Sequence, residues 1–159
     1  MSGFDSARFR QVLGHFPTGV TIVTAIGPDE PVGLTIGSFT SVSLDPPLVG
    51  FLPGKGSQSW PEIEQAGSFC VNILAHDQGE QCFRFARNES ARFEGLGWEP
   101  APSGSPILDG VLAWIDCTID QVVDAGDHWF VLGRVLALDA RDANPLLFFR
   151  GKLGGFAEL

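Results

Sequence analysis

The chain is poor in basic side chains, with 10 Lys and Arg against 19 Asp and Glu, for a formal charge of -9. It has little with which to displace counterions from a nucleic-acid backbone, so no nucleic-acid partner is expected, and a phosphorylated ligand must find a local basic or amide-rich pocket. Cysteine is scarce: Cys70, Cys82 and Cys117 are odd in number and form no C-x-x-C pair. Neither a disulfide framework nor a zinc site is encoded, and each thiol reads as a small core residue. No basic n-region follows Met1 and no apolar run approaches the roughly 18 residues that cross a bilayer, so a cytoplasmic protein without a membrane partner is expected. A G-x-S-x-G elbow, a Walker loop, H-E-x-x-H and paired catalytic carboxylates are all missing, which removes support for hydrolysis or phosphoryl transfer. Tyrosine is absent altogether.

What the chain does have is apolar and aromatic mass, 44% hydrophobic residues with 13 Phe and 4 Trp among 159. That is enough to offset the entropy of ordering, and the length suits one domain over 1–159. A first helix is predicted from Asp5, where Phe9, Val12, Leu13 and Phe16 form one apolar stripe that Pro17 ends. Val20 to Ala25 and Val32 to Ser38 read as strands of a hairpin turning at Gly27 to Pro31. Leu48 to Leu52, apolar throughout, reads as a strand in a central position. Ser59-Trp60-Pro61-Glu62 has the form of a capping box opening a helix that stops at Gly67.

Phe69 to Leu74 is a further strand, and Asp77 with Glu80 starts a helix carrying Cys82, Phe83 and Phe85. Asn88 to Pro106 reads as a long loop excursion. The clearest period-2 signal runs from Val111 to Val123, with Asp116 and Asp120 opposite the apolar face, and Asp124 to Asp127 turns it into a second run, Trp129 to Asp139. After Asn144-Pro145 comes Leu146 to Phe149. About seven strands with few short helices predict a mainly β, antiparallel barrel whose closure hides its edges.

The most unusual composition is Thr35 to Ser43, with five hydroxyls in nine residues between apolar strands. Hydroxyls and exposed amides there can hold a polar, planar or phosphorylated ligand, and equally can mark a strand edge or turn. Phe16-Pro17-Thr18-Gly19-Val20, Thr35 to Ser43 followed by Leu44-Asp45-Pro46-Pro47-Leu48-Val49, Val71-Asn72-Ile73-Leu74 and Gly126-Asp127-His128 together resemble the flavin reductase-like family, colinearly from about residue 8 to 156. The resemblance implies an FMN-binding split β-barrel, a homodimer, and reduction of FMN or FAD by NAD(P)H, often for a partner flavin-dependent monooxygenase. A flavin-binding electron-transfer or sensor module without nicotinamide turnover is the alternative.

The same resemblance implies that Thr35, Ser38, Phe39, Thr40 and Ser41 line the flavin and that Asn72 faces its ring as an amide partner. Ser57 and Ser59 would lie beside the flavin phosphate, although Ser59 is equally a helix cap. Arg92, before Phe93, is the candidate counter-charge among Arg84, Arg87 and Arg92. His128 would sit at the nicotinamide end of the site and orient the dihydronicotinamide. Lys152, in Arg150-Gly151-Lys152-Leu153-Gly154-Gly155, would meet a nucleotide phosphate. The family commonly has Tyr where Leu153 stands, and this departure is what favours the alternative. His15 and His76 read as structural.

Overall fold

The computed structural model describes residues 3–87 and 92–159. Helix α1 (Ser6–Leu13) starts where Asp5 Oδ1 accepts from Ala7 N at 2.9 Å, and its apolar stripe faces outward, with Phe9 57% and Phe16 73% exposed. The chain then runs through β1 (Thr18–Gly19), β2 (Thr21–Ile26), β3 (Pro31–Ile36), β4 (Thr40–Ser43), β5 (Leu48–Phe51), α2 (Trp60–Ala66), β6 (Ser68–Ile73) and α3 (Gly79–Ala86). It ends in β7 (Trp98–Pro100), β8 (Pro106–Leu108), β9 (Ala113–Ala125), β10 (His128–Ala140), β11 (Leu147–Phe149) and β12 (Lys152–Gly154). No helix of the described residues is long and apolar enough to cross a membrane.

Seven strands pair antiparallel in the order β3-β2-β6-β9-β10-β5-β4, and β1-β11-β12 form a small separate sheet. The expected full closure is absent, because β3 and β4 are the two edges and do not pair. They are nevertheless joined by only Gly37, Ser38 and Phe39. Four Cα steps span at most about 14 Å, whereas the edges of a flat seven-stranded sheet lie about 29 Å apart. The sheet must therefore curl until its edges approach. Following the ladder, Ile36 aligns with Ala140 and Thr40 with Leu132, eight positions apart on β10, which is the stagger that tilted barrel strands require. The result is a mainly β, antiparallel split barrel.

One face of this sheet supplies the larger apolar cluster, including Val23, Phe51, Phe69, Val71, Cys117 and Val131, closed at one end by Trp60 and Ile63 of α2. The other face of β2 and β6 supplies Ile22 and Cys70 to a second cluster with Cys82 and Phe85 of α3 and Leu108 of β8. Phe69 to Val71 is thus apolar at successive positions because β6 is covered on both sides. Gly133 of β10 leaves room for one of these rings, since a Cβ there would stand 2.5 Å from Phe69 Cζ.

Three expectations change. The α2 cap is made by Ser57, whose Oγ accepts from Trp60 N at 3.1 Å, while the Ser59 side chain makes no cap bond. The excursion before Pro106 contains β7, which pairs with β8; its residues 88–91 lie outside those described. The Leu48 to Leu52 run is β5, paired on both sides but second from an edge. Asp116, opposite the apolar face of β9, is buried and clamps a turn, accepting from Ser103 N at 2.8 Å and Ser103 Oγ at 2.6 Å.

Candidate functional site

Three segments meet beside the split: the link after β3, the loop 53–59 after β5, and the tip of the β9–β10 hairpin. Ser38 Oγ accepts from Leu52 N at 3.0 Å and donates to Leu52 O at 3.3 Å, tying the link to the end of β5. The loop is then stitched to the tip, with Trp129 N donating to Pro53 O and Lys55 N to Asp127 O, each at 2.9 Å, and Gly54 bridging His128. Gly126, with φ at +72°, supplies the left-handed residue this two-residue turn needs. Lys55 adds a side-chain clasp, its Nζ lying 2.7 Å from Asp124 Oδ1 and 4.5 Å from the centre of the Trp129 ring.

On its other side the loop reaches edge strand β3. Arg92 Nη1 donates to Gly33 O at 2.7 Å and to Ser59 Oγ at 2.9 Å, so the guanidinium joins the edge strand to the loop end. Thr35, two residues along β3, donates its hydroxyl to Cys82 O at 2.6 Å. Phe39 is half-buried against the barrel cluster, whereas Thr40 and Ser41 are exposed on edge strand β4. A Cβ on Gly56 would meet nothing within 4 Å, so the loop presents open space and backbone at its crest. Ser38, Ser57, Ser59, Arg92 and His128 thus belong to one hydrogen-bonded surround.

The tip is electrostatically arranged. His128 Nδ1 and Asp127 Oδ1 lie 2.7 Å apart, and the hydrogen bond from His128 holds the Asp127 carboxyl below the usual carboxylate range. The hydrogen bond from Lys55 does the same for Asp124. Both carboxylates are solvent-facing, and among the described residues no cluster of His, Cys, Asp and Glu could hold a metal ion.

Two expected site residues lie elsewhere. Asn72 faces the interior: it is fully buried, with Nδ2 3.1 Å from Thr24 Oγ1 and 3.2 Å from both Ile22 O and Pro106 O, while Oδ1 accepts from Leu108 N at 2.9 Å. Its amide is consumed in joining β8 to the barrel. Lys152 lies near the other end of the long hairpin, because Leu146, entering β11, bonds Leu74 O just beyond Ile73, which aligns with Ala113 at the start of β9. The thirteen residues of β9 span about 40 Å to the tip, so within one chain Lys152 and His128 stand apart. Lys152 borders an open cleft of about 670 Å³ with Phe149 and Arg150. Leu153, which also lines it, turns its side chain toward Gly79 and packs on the second cluster.

Sequence reasoning missed Lys55 and Asp124. The only signal was that Lys55 is one of two lysines and stands between two glycines, a turn setting that says nothing of its distant carboxylate.

The model of the flavin reductase-like domain matches residues 13–157. A flavin reductase of Pseudomonas putida is 51% identical over 160 residues, covering 99% of this chain and 94% of its own. The reductase subunit HsaB of a flavin-dependent monooxygenase from Rhodococcus jostii is 51% identical over 152 residues, covering 95% of this chain and 78% of its own. The solved structure of the Streptomyces globisporus NADH:FAD oxidoreductase SgcE6 with NAD and FAD fragments superposes with a TM-score of 0.91 at 36% identity, covering 96% of this chain and 93% of that one.

Proposed function

The chain belongs to the flavin reductase-like family, and from that premise we propose how its own residues perform the family's reaction. It is an NADH-dependent flavin oxidoreductase, using FMN or FAD and serving a partner monooxygenase. A bound flavin would supply the hydride acceptor for a dihydronicotinamide, which is chemistry that no side chain of the protein provides.

The residues present fit such a group. The exposed hydroxyls of Thr40 and Ser41 can hydrogen-bond the polar edge of a flavin ring without formal charge. Ser38 and Phe39 support that wall, Ser38 by fixing the link to β5 and Phe39 by anchoring it in the barrel, while Thr35 gives its hydroxyl to Cys82 O of α3. Ser57 and Ser59 border a loop with open space at its crest, and Arg92, already oriented by Gly33 O and Ser59 Oγ, brings a cation to it in an otherwise acidic chain. That donor set suits a phosphate. His128 meets the dihydronicotinamide and orients it; no proton need pass through the protein. The observation that carries this reading is the stitching of loop 53–59 to the hairpin tip, which puts hydroxyls, cation and histidine on one continuous surround.

Lys152 fits this scheme only across two chains. The reading therefore includes a homodimer, supported by the outward apolar face of α1 and by exposed Phe148 and Phe149 of β11, whose end is bonded to Gly14 just after α1 by Arg150 N.

The test is an anaerobic mixture of the protein with excess FMN or FAD, followed by NADH, watching the visible flavin absorption. Bleaching of many flavins per protein is expected. A His128→Ala chain should deliver hydride at least tenfold more slowly with flavin affinity within twofold of wild type. Equal losses in both would refute the role given to His128.

A further inference from the structure

Asp127 is the one tip residue that the reaction above leaves without a task. Its side chain is 95% exposed, so packing does not place it, yet Oδ1 lies 2.7 Å from His128 Nδ1. Even at its ordinary pKa a solvent-facing carboxyl is ionised at neutral pH, so the group can only accept. The proton of the contact therefore sits on Nδ1.

The backbone around the pair has little freedom. Asp127 O accepts from Lys55 N, Trp129 N donates to Pro53 O, and Gly54 bridges His128 between them. The remaining ring nitrogen, Nε2, lies over the loop, 3.9 Å from where a Cβ on Gly54 would stand. In the neutral ring with hydrogen on Nδ1, Nε2 is a bare acceptor. A dihydronicotinamide carries one group that donates to such an acceptor, its carboxamide N–H.

We propose that Asp127 is a positioning residue which keeps His128 in the Nδ1–H tautomer, so that Nε2 accepts a hydrogen bond from the carboxamide of the dihydronicotinamide. The proposal rests on the reading that His128 meets the nicotinamide. It adds a determinant of reductant orientation that touches neither flavin nor nicotinamide itself.

The test combines two-bond proton–nitrogen NMR of the imidazole rings with steady-state kinetics on the full chain, the His128 signal being identified by its loss in His128→Ala. Wild type is expected to show protonated Nδ1. Asp127→Ala should shift the ring toward the Nε2–H form and raise the KM for NADH about tenfold, the size of one lost hydrogen bond, with flavin affinity within twofold. Asp127→Glu, whose carboxylate can only accept from Nδ1–H, should keep the tautomer and bring KM back to within about threefold of wild type, whereas Asp127→Asn, whose amide can also donate to a bare Nδ1, should not. An unchanged tautomer in Asp127→Ala, or a shifted tautomer with KM unmoved while His128→Ala is impaired, overturns the proposal alone. A His128→Ala enzyme with wild-type NADH kinetics overturns the nicotinamide reading first, and the role of Asp127 falls with it.

Discussion

Replacing Asn72 by alanine separates a structural amide from a flavin-contacting one. In the structure Oδ1 is the hydrogen-bond partner of Leu108 N, and Nδ2 offers its two hydrogens among Thr24 Oγ1, Ile22 O and Pro106 O. Leu108 and Asn72 are both buried, so the variant strands the Leu108 N–H away from water at a cost of about 1–3 kcal/mol. Loss of the Nδ2 bonds adds about 1 kcal/mol, since Pro106 O keeps the Thr24 hydroxyl at 2.6 Å. The sum is about 3 kcal/mol. For a domain of this length that corresponds to a fall in Tm of roughly 6–12 °C. The assay is a thermal melt of the apo chain beside a flavin titration of the same preparation. Flavin affinity is expected to stay within twofold of wild type at a temperature where both chains are folded. A tenfold loss of flavin affinity with an unmoved apo melt would refute the structural role and return Asn72 to the binding site.

Two further outcomes follow from packing. Burial, reinforced by neighbouring Asp116, pushes the Cys117 thiol up to about 12, burial pushes Cys70 in the same direction, and Cys82 is also raised by burial. At pH 8 only about one Cys117 in ten thousand is thiolate, so an aromatic disulfide reagent should titrate none of the three until denaturant is added; rapid labelling of the native chain would contradict the burial. Sedimentation should give twice 17.0 kDa for the wild-type chain, and Phe16→Glu, which charges the outward end of the α1 face, should halve it; a monomeric wild type would remove the dimer.

Much of the fold is legible in local pattern. The β2–β3 hairpin and the β9–β10 ribbon follow from alternation and turn residues, and α1 from Asp5 and its stripe. What local pattern does not reveal is which side of a strand another segment will cover. Asn72 looks out of place in an apolar run, but the anomaly is resolved by β8, thirty-four residues away, whose Pro106 O and Leu108 N need a partner. Asp116 is on the polar side of its strand and still buried, because the turn carrying Ser103 folds over it. Ser57 and Ser59 are both hydroxyls before a helix, and only the tertiary pull of Arg92 on Ser59 decides which one caps. The loop–tip stitching is equally invisible, since it depends on backbone groups that every sequence has.

The short link between the sheet edges has a consequence for the order in which the site comes into being. Strands β4 and β5 reach the rest of the sheet only through β10, whose pairing brings Leu48 beside Arg134. A nascent chain that stops before β10 therefore holds two unconnected blocks, β3-β2-β6-β9 and β4-β5, tethered by Gly37, Ser38 and Phe39. The tether keeps the blocks close and cannot itself bond them into one sheet. Of the seven strands, β10 is the last to be made, and it begins at His128. The event that unites the hydroxyl-bearing edge with the remainder of the barrel is thus the same one that delivers the histidine, so the chain passes through no assembled half-site.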